Sequence, residues 1–156
     1  MKPLLALFAF VLSASAFGQQ STSRLKEDVR LFYEAFNRND PALLDKILSK
    51  SWVDIPPAPN QPAGPEGAKQ ILSELTTAFP DLKITIEDVL QDGNKVIVRS
   101  KIAGTHKRPL MGFAPKNRSM SIQATDIHEF EGRRIARTWH TEDWLTGLHQ
   151  LGVFEK

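Results

Sequence analysis

Residues 121–144 constrain this chain most. Ile122, Ala124, Asp126, His128 and Phe130 recur at every second position, with Ser121, Gln123, Thr125 and Glu129 between them. A period of two is that of a strand with one face in a core. Glu131-Gly132-Arg133 reads as the turn that follows, the glycine supplying a positive φ. The return strand then places Ile135, Arg137, Trp139, Thr141 and Asp143 on one face, and a two-residue turn sets that face beside the even positions of the first strand. The combined face carries Phe130, Ile135 and Trp139, but also Asp126, His128 and Asp143. An unpaired charge on a core face is costly. Either the face lines a ligand cavity, or Asp126 is held in a buried ion pair, for which Arg137 is the partner.

Helical spacing governs the N-terminal half. Leu25, Val29, Phe32 and Phe36 predict the buried stripe of a helix over about 24–39, with Tyr33 and Asn37 one turn apart on a flanking face. Asn39-Asp40-Pro41 breaks this helix and starts a short second one. Residues 51–55 predict a short strand, with Trp52 and Asp54 on one face. Residues 56–65 are too rich in proline for regular structure and read as an ordered loop leading to a third helix over about 66–78. From Leu82 onward the pattern is β, with Asp92-Gly93-Asn94 as a hairpin turn. The strand from Lys95 to about His106 puts Val96, Val98, Ile102 and His106 on one face, Ser100 and Gly104 between them. A long connection over 107–117 carries Leu110, Met111 and Phe113, and an amphipathic tail follows Leu145. Helices followed by a four-stranded antiparallel meander predict an α+β fold, three N-terminal helices packed on one face of a curved sheet.

A chain of 156 residues is long enough for one domain with a real core. It contains no Cys, which excludes disulfides, thiol nucleophiles, Cys-zinc sites and a lipoprotein anchor. Residues 1–18 read as a signal peptide: Lys2 is the charge, residues 4–12 the apolar run, and Ala14-Ser15-Ala16 the small-residue cleavage site. The expected product is a single domain over 19–156, exported to the periplasm or secreted. It would have no membrane attachment after cleavage, because the apolar run is too short to span a bilayer. Loss of Lys2 leaves 19 of the 20 basic residues against 18 acidic ones, no footprint for nucleic acid. Lys107, Arg108, Lys116 and Arg118 cluster in the long connection and read as a solvated loop rather than an anion site. The four His residues show no i, i+4 pairing, so no metal is expected. No nucleophile-elbow or Gly-rich phosphate sequence is present.

Five segments fall in a familiar order. They are the run from Val29 to Asp40; Ala78-Phe79-Pro80-Asp81-Leu82 with Glu87-Asp88-Val89; Gly104-Thr105-His106 with Gly112-Phe113-Ala114-Pro115; Asp126-Ile127 through Phe130, Arg134-Ile135 and Trp139 to Asp143; and Gly147 to Gly152. Together they cover nearly all of residues 19–156 and resemble the SnoaL-like polyketide cyclase (ester cyclase) family of the NTF2-like superfamily. The resemblance implies a cone of curved sheet closed by three helices, with a cavity between the concave sheet face and the first helix. It implies neither metal nor organic cofactor, a small apolar or carbonyl-containing ligand, and a homodimer by analogy within the superfamily. Founding members close a ring by intramolecular aldol condensation of a polyketide ester. An aspartate there acts as acid and base with a histidine nearby. Asp126 matches the aspartate and His106 the Gly-Thr-His histidine. Asp143 and Trp139 match cavity positions.

Bottom-up chemistry leaves several roles open. An Asp on an apolar face has its pKa raised by desolvation and suits proton transfer, whereas a pair with Arg137 would keep it ionised and structural. His106, His128 and Asp143 each have a structural reading beside the functional one, and Tyr33 reads first as a helix-edge aromatic with a wet hydroxyl. The expected cavity set is Tyr33, Asn37, Trp52, Asp54, Phe113, His128, Trp139 and Asp143 around catalytic Asp126 and His106. Three functions fit: a cyclase-type acid/base enzyme using Asp126 and His106; a ketosteroid-isomerase-like proton transfer with Tyr33 and Asp126 polarising an enol oxygen and Asp54 as base; or a non-catalytic protein that binds a small apolar ligand or assembles through its sheet.

Overall fold

The computed structural model describes residues 24–155; the signal-peptide reading of residues 1–18 lies outside the described residues. A helical segment over residues 24–28 leads into α1 (Arg30–Arg38), followed by α2 (Ala42–Ile47), β1 (Leu48–Ile55), α3 (Pro65–Ala78), β2 (Lys83–Asp92), β3 (Lys95–Thr105), β4 (Ser119–Glu131), β5 (Arg134–Glu142) and α4 (Trp144–Gln150). The strands form one sheet in the order β1-β5-β4-β3-β2. β2 to β5 are the expected antiparallel meander. The sheet has five strands rather than four, because β1 joins the free edge of β5 in parallel. Pairing covers one of the edges that a four-stranded sheet would leave open.

The helices lie over one face of the sheet, and that face is the core. Along β3 and β4 burial follows the period of two from Val96 to Ile102 and from Met120 to Phe130. α1 turns Val29, Tyr33 and Phe36 inward, and α3 contributes Ala68 and Leu72. Tyr33 is therefore a core residue at 3% exposure, not a helix-edge aromatic with a wet hydroxyl. Phe79, the residue that ends α3, packs so closely on β3 that only glycine fits at Gly104, where a Cβ would come within 2.9 Å of the Phe79 Cβ.

Two features set the geometry of the C-terminal hairpin. Gly132 takes φ 62° in the turn, as the sequence predicts. Beyond it Phe130 pairs with Ile135 but Glu129 pairs with Arg137, so β5 carries one extra residue, Ala136. This bulge reverses the parity of the strand from there on. Ile135, Thr138, His140 and Glu142 take the concave side, and Arg137, Trp139 and Thr141 the convex side.

Two of the four basic loop residues bind the C-terminal segment. Lys116 Nζ donates to the Gly152 carbonyl, and Arg118 pairs with Glu155 at 2.6 Å. At the other end of the sheet, Arg133 in the hairpin turn grips Asp28 with two hydrogen bonds and ties the turn to the start of the helical layer.

Candidate active site

Asp126 stands at the middle of the concave face. β4 presents it there because the alternation from Ile122 to Phe130 runs unbroken, and Val98 and His140 are its neighbours across the sheet. α1 lies opposite and lowers Tyr33 onto it: the Tyr33 hydroxyl donates to Asp126 Oδ2 at 2.7 Å. Arg137 is not its partner. The bulge sends Arg137 to the convex face, where it pairs with Glu129 at 2.9 Å, and the expected Asp126–Arg137 ion pair does not form.

Behind Asp126 runs a chain of buried hydrogen bonds. The Tyr33 oxygen lies 2.9 Å from His128 Nε2, His128 Nδ1 lies 3.0 Å from Thr138 Oγ1, and Trp52 Nε1 donates to the same Thr138 oxygen at 3.0 Å. The donors assign the protons. An ionised Asp126 only accepts, so Tyr33 donates to it and must accept from His128 Nε2–H. His128 Nδ1 is then bare and accepts from Thr138, whose oxygen accepts from the indole. Every member is satisfied by a neutral imidazole, and full burial pushes the His128 pKa down to about 3. The network therefore fixes the Tyr33 hydroxyl in its orientation toward the carboxyl.

The carboxyl itself is held in an unfavourable place for charge. Asp126 is 7% exposed. Its pKa is raised to about 7: burial is the main cause, with the negative charges of Glu142 and Asp54 acting the same way and the Tyr33 hydrogen bond opposing. The same burial and the neighbouring Asp126 charge keep Tyr33 protonated, its pKa well above the usual value.

In front of Asp126 is a cavity of about 570 Å³. Phe32, Phe36 and Tyr33 from α1, Ile71 and Leu75 from α3, and Trp52 from β1 form apolar walls. The proline-rich segment 56–59 and Leu110 with Met111 complete the enclosure. Toward the proline loop the wall becomes polar. His140 lies 3.1 Å from Glu142 through Nδ1, and its Nε2 reaches the Pro56 carbonyl at 2.9 Å and Asp54 at 3.4 Å. These partners raise the His140 pKa to about 9, the Glu142 hydrogen bond contributing most. Asp54 also accepts from Gln61 at 3.0 Å, yet burial leaves its pKa raised. Asp54, Asp126 and Glu142 thus share the cavity with one imidazolium.

Several expected site residues stand elsewhere. Trp139 lies on the convex face beneath Lys95, whose Nζ is 5.1 Å from its ring centre, because the bulge reversed the strand. Asp143 caps α4 by accepting from the Thr146 amide at 3.1 Å, and hydrogen bonding from the Thr146 side chain and then its amide lowers its pKa. Asn37 exchanges two hydrogen bonds with the backbone of Ile84, its amide completing the free edge of β2. Phe113 packs against Phe154, and its loop neighbours Leu110 and Met111 line the cavity instead. His106 is buried beside Phe79, ring centres 5.7 Å apart, outside the cavity wall. His128 is fully buried behind Tyr33 rather than lining the open space. Trp52 and Asp54 do line it, as β1 alternation predicts. Thr138, His140, Glu142 and Ser100 enter the site although none was anticipated. The first three had no signal short of the bulge, and Ser100 sat in plain view between Val98 and Ile102. Among the described residues no group of three or more metal-ligating side chains comes together.

Comparison with known proteins places this geometry. The family model for SnoaL-like polyketide cyclases matches residues 27–151. No curated protein sequence matches the chain. Among solved structures, TsrD from Streptomyces laurentii is similar at TM-score 0.79 and 27% identity, over 84% of this chain and 96% of that one. IdmH from Streptomyces antibioticus is similar at TM-score 0.72 and 28% identity, over 83% and 99%. A SnoaL-like polyketide cyclase from Agrobacterium tumefaciens, at TM-score 0.69 and 20% identity over 82% and 98%, shares the fold.

Proposed function

The chain belongs to the SnoaL-like polyketide cyclase family, and from that premise we propose that it is a cofactor-independent acid/base enzyme acting on a small apolar ketone or ester. The observation that carries this is the Asp126 carboxyl, buried against an open cavity, aligned by Tyr33 and brought to a pKa of about 7. A base of that strength is half-ionised at neutral pH and works in both directions. In an aldol closure, Asp126 takes the proton from the carbon beside a carbonyl group. The enolate forms a new C–C bond to a second carbonyl of the same molecule, and Asp126 returns its proton to the resulting alkoxide. The reaction is neutral overall.

The test is deuterium exchange into 2-tetralone in D₂O followed by NMR. The protein should accelerate exchange, and Asp126→Asn should lower that acceleration on the order of 10²-fold or more. Unchanged acceleration in the Asn variant would take the role of base away from Asp126, and a wild type that does not accelerate exchange would leave a ligand-binding protein without acid/base function.

A ketosteroid-isomerase-like variant of this chemistry has its own support, since Asp54 shares the cavity and burial raises its pKa toward that of a usable base. Asp54→Asn would then abolish exchange, and Tyr33→Phe would do so as well. In the first reading Tyr33→Phe keeps activity and shifts its pH dependence.

Export and assembly belong to the same proposal. The charged and apolar pattern of residues 2–16 supports secretion, which fractionation of expressing cells would test. A homodimer is supported by an apolar row across the convex face. Ile55, Trp139, Ile127, Ile97 and Leu90 stand in register on five successive strands, about 19 Å from end to end. Charged residues flank it at Arg137, Glu129, Lys95 and Asp92, the arrangement of an association surface. Light scattering should give twice the chain mass for the wild type and the monomer mass for Leu90→Lys with Ile97→Lys.

A further inference from the structure

Three buried side-chain polar atoms among the described residues lack a hydrogen-bond partner: Gln91 Oε1, Ser100 Oγ and His106 Nε2. Only Ser100 belongs to the cavity wall. It is fully buried, and a buried hydroxyl with no partner is uncommon in a folded protein. Its position is informative. Ser100 pairs with Ala124 and Val98 pairs with Asp126, so Ser100 and Asp126 are diagonal neighbours on the same concave face, roughly 7 Å apart.

The donors packed around Asp126 and the polar end of the cavity are engaged. Tyr33 donates to Asp126, and Trp52 donates to Thr138, which is itself bonded to His128. His140 spends Nδ1 on Glu142 and Nε2 on the Pro56 carbonyl. Among the described residues the cavity wall contains no Lys or Arg. A substrate carbonyl that lies with its neighbouring C–H over Asp126 therefore needs a donor, and the diagonal hydroxyl is placed to supply it.

We propose that Ser100 is the residue that binds the substrate carbonyl oxygen, donating its hydroxyl proton to it while Asp126 faces the adjacent carbon. This deepens the acid/base reading and rests on it for the identity of the reacting carbon. It also narrows the ligand class. The site accepts a compound whose carbonyl is flanked by apolar, preferably aromatic, surface and which carries no carboxylate, because Asp54, Asp126, Glu142 and Glu74 line the same cavity against one histidine. As the substrate becomes an enolate its oxygen gains charge, and the Ser100 hydrogen bond strengthens with it.

The experiment uses two probes of one shape, 2-acetylnaphthalene and 2-isopropenylnaphthalene, which differ by C=O against C=CH₂. Binding is read from the fluorescence of the tryptophans, two of which, Trp52 and Trp144, line the cavity. At pH 8.5 the Asp126 carboxyl is ionised and cannot donate, which leaves Ser100 as the free donor beside it on the sheet. The wild type should prefer the ketone by about tenfold. Ser100→Ala should bind the two alike with its affinity for the alkene unchanged, and Ser100→Thr, which keeps the hydroxyl, should restore the preference. A wild type without preference, or a Ser100→Ala variant that keeps it, overturns the assignment. Exchange of 2-tetralone in Asp126→Asn tests the acid/base reading separately. If exchange is untouched there while the ketone preference is lost in Ser100→Ala, the binding role of Ser100 stands and the catalytic role of Asp126 falls.

Discussion

The Asp126 carboxyl should make the protein's stability respond to pH in a sense opposite to that of a carboxylate held in an ion pair, and replacing it with asparagine should remove that response. Asp126 has a folded pKa of about 7, against 3.8 for the unperturbed group, with burial the main cause. Between those values the folded state holds a proton that the unfolded chain has released. Stability then falls as pH rises from about 4 to about 7. A tenfold change in an ionisation constant corresponds to about 1.4 kcal/mol, so the full cost of ionising the buried carboxyl is about 4 kcal/mol above pH 7, as an upper bound. The asparagine amide does not titrate and its oxygen still accepts from Tyr33. Urea unfolding of both proteins at pH 4.5, 6 and 8 measures the difference. Asp126→Asn should gain on the wild type with increasing pH, by about 2 kcal/mol or more across the range. Taking the difference removes the opposing effect of His128. That imidazole has a folded pKa of about 3, below its usual 6.5, and it costs stability as pH falls below 6.5. A wild-type advantage that grows with pH would mean that Asp126 is held in an ion pair, and would refute the reasoning. A difference that stays flat would refute it equally.

Other substitutions probe the elements around that carboxyl. Tyr33→Phe removes the hydrogen bond that lowers the Asp126 pKa, so the ascending limb of exchange activity against pH should move upward. It also leaves His128 Nε2–H buried without its partner, which should cost about 1–3 kcal/mol in urea unfolding. His140→Gln takes away the imidazolium between Asp54 and Glu142 and the hydrogen bond to the Pro56 carbonyl. Proteolysis and amide exchange in residues 56–62 should then accelerate while those in β3 stay unchanged. Since His140 has a pKa raised to about 9, the wild-type loop should itself loosen as pH passes through 9. Gly104→Ala forces a methyl group against Phe79 and should destabilise by about 1–3 kcal/mol, read as a lowered melting temperature without change in the pH profile of exchange.

Much of the fold and part of the site were legible in the chain. The alternation through Ile122, Ala124, Asp126, His128 and Phe130 set β4, its buried face and the presence of a carboxyl on it, because side-chain direction in a strand depends only on local parity. Helical spacing set α1, and the residues shared with the SnoaL-like family set the cone and its cavity. Parity also made the main error. One extra residue at Ala136 turned Trp139 and Arg137 outward and brought Thr138, His140 and Glu142 inward, and no local composition marks where a bulge falls. The partner of Asp126 lay further beyond local reach. Tyr33 is 93 residues away along the chain, and its hydroxyl meets the carboxyl only because α1 packs across the sheet at that place. Sequence alone determined that an aspartate would sit on a core face. Tertiary structure decided that a tyrosine and a cavity, rather than an arginine, would face it, because desolvation and hydrogen bonding depend on which elements pack together, not on their order in the chain.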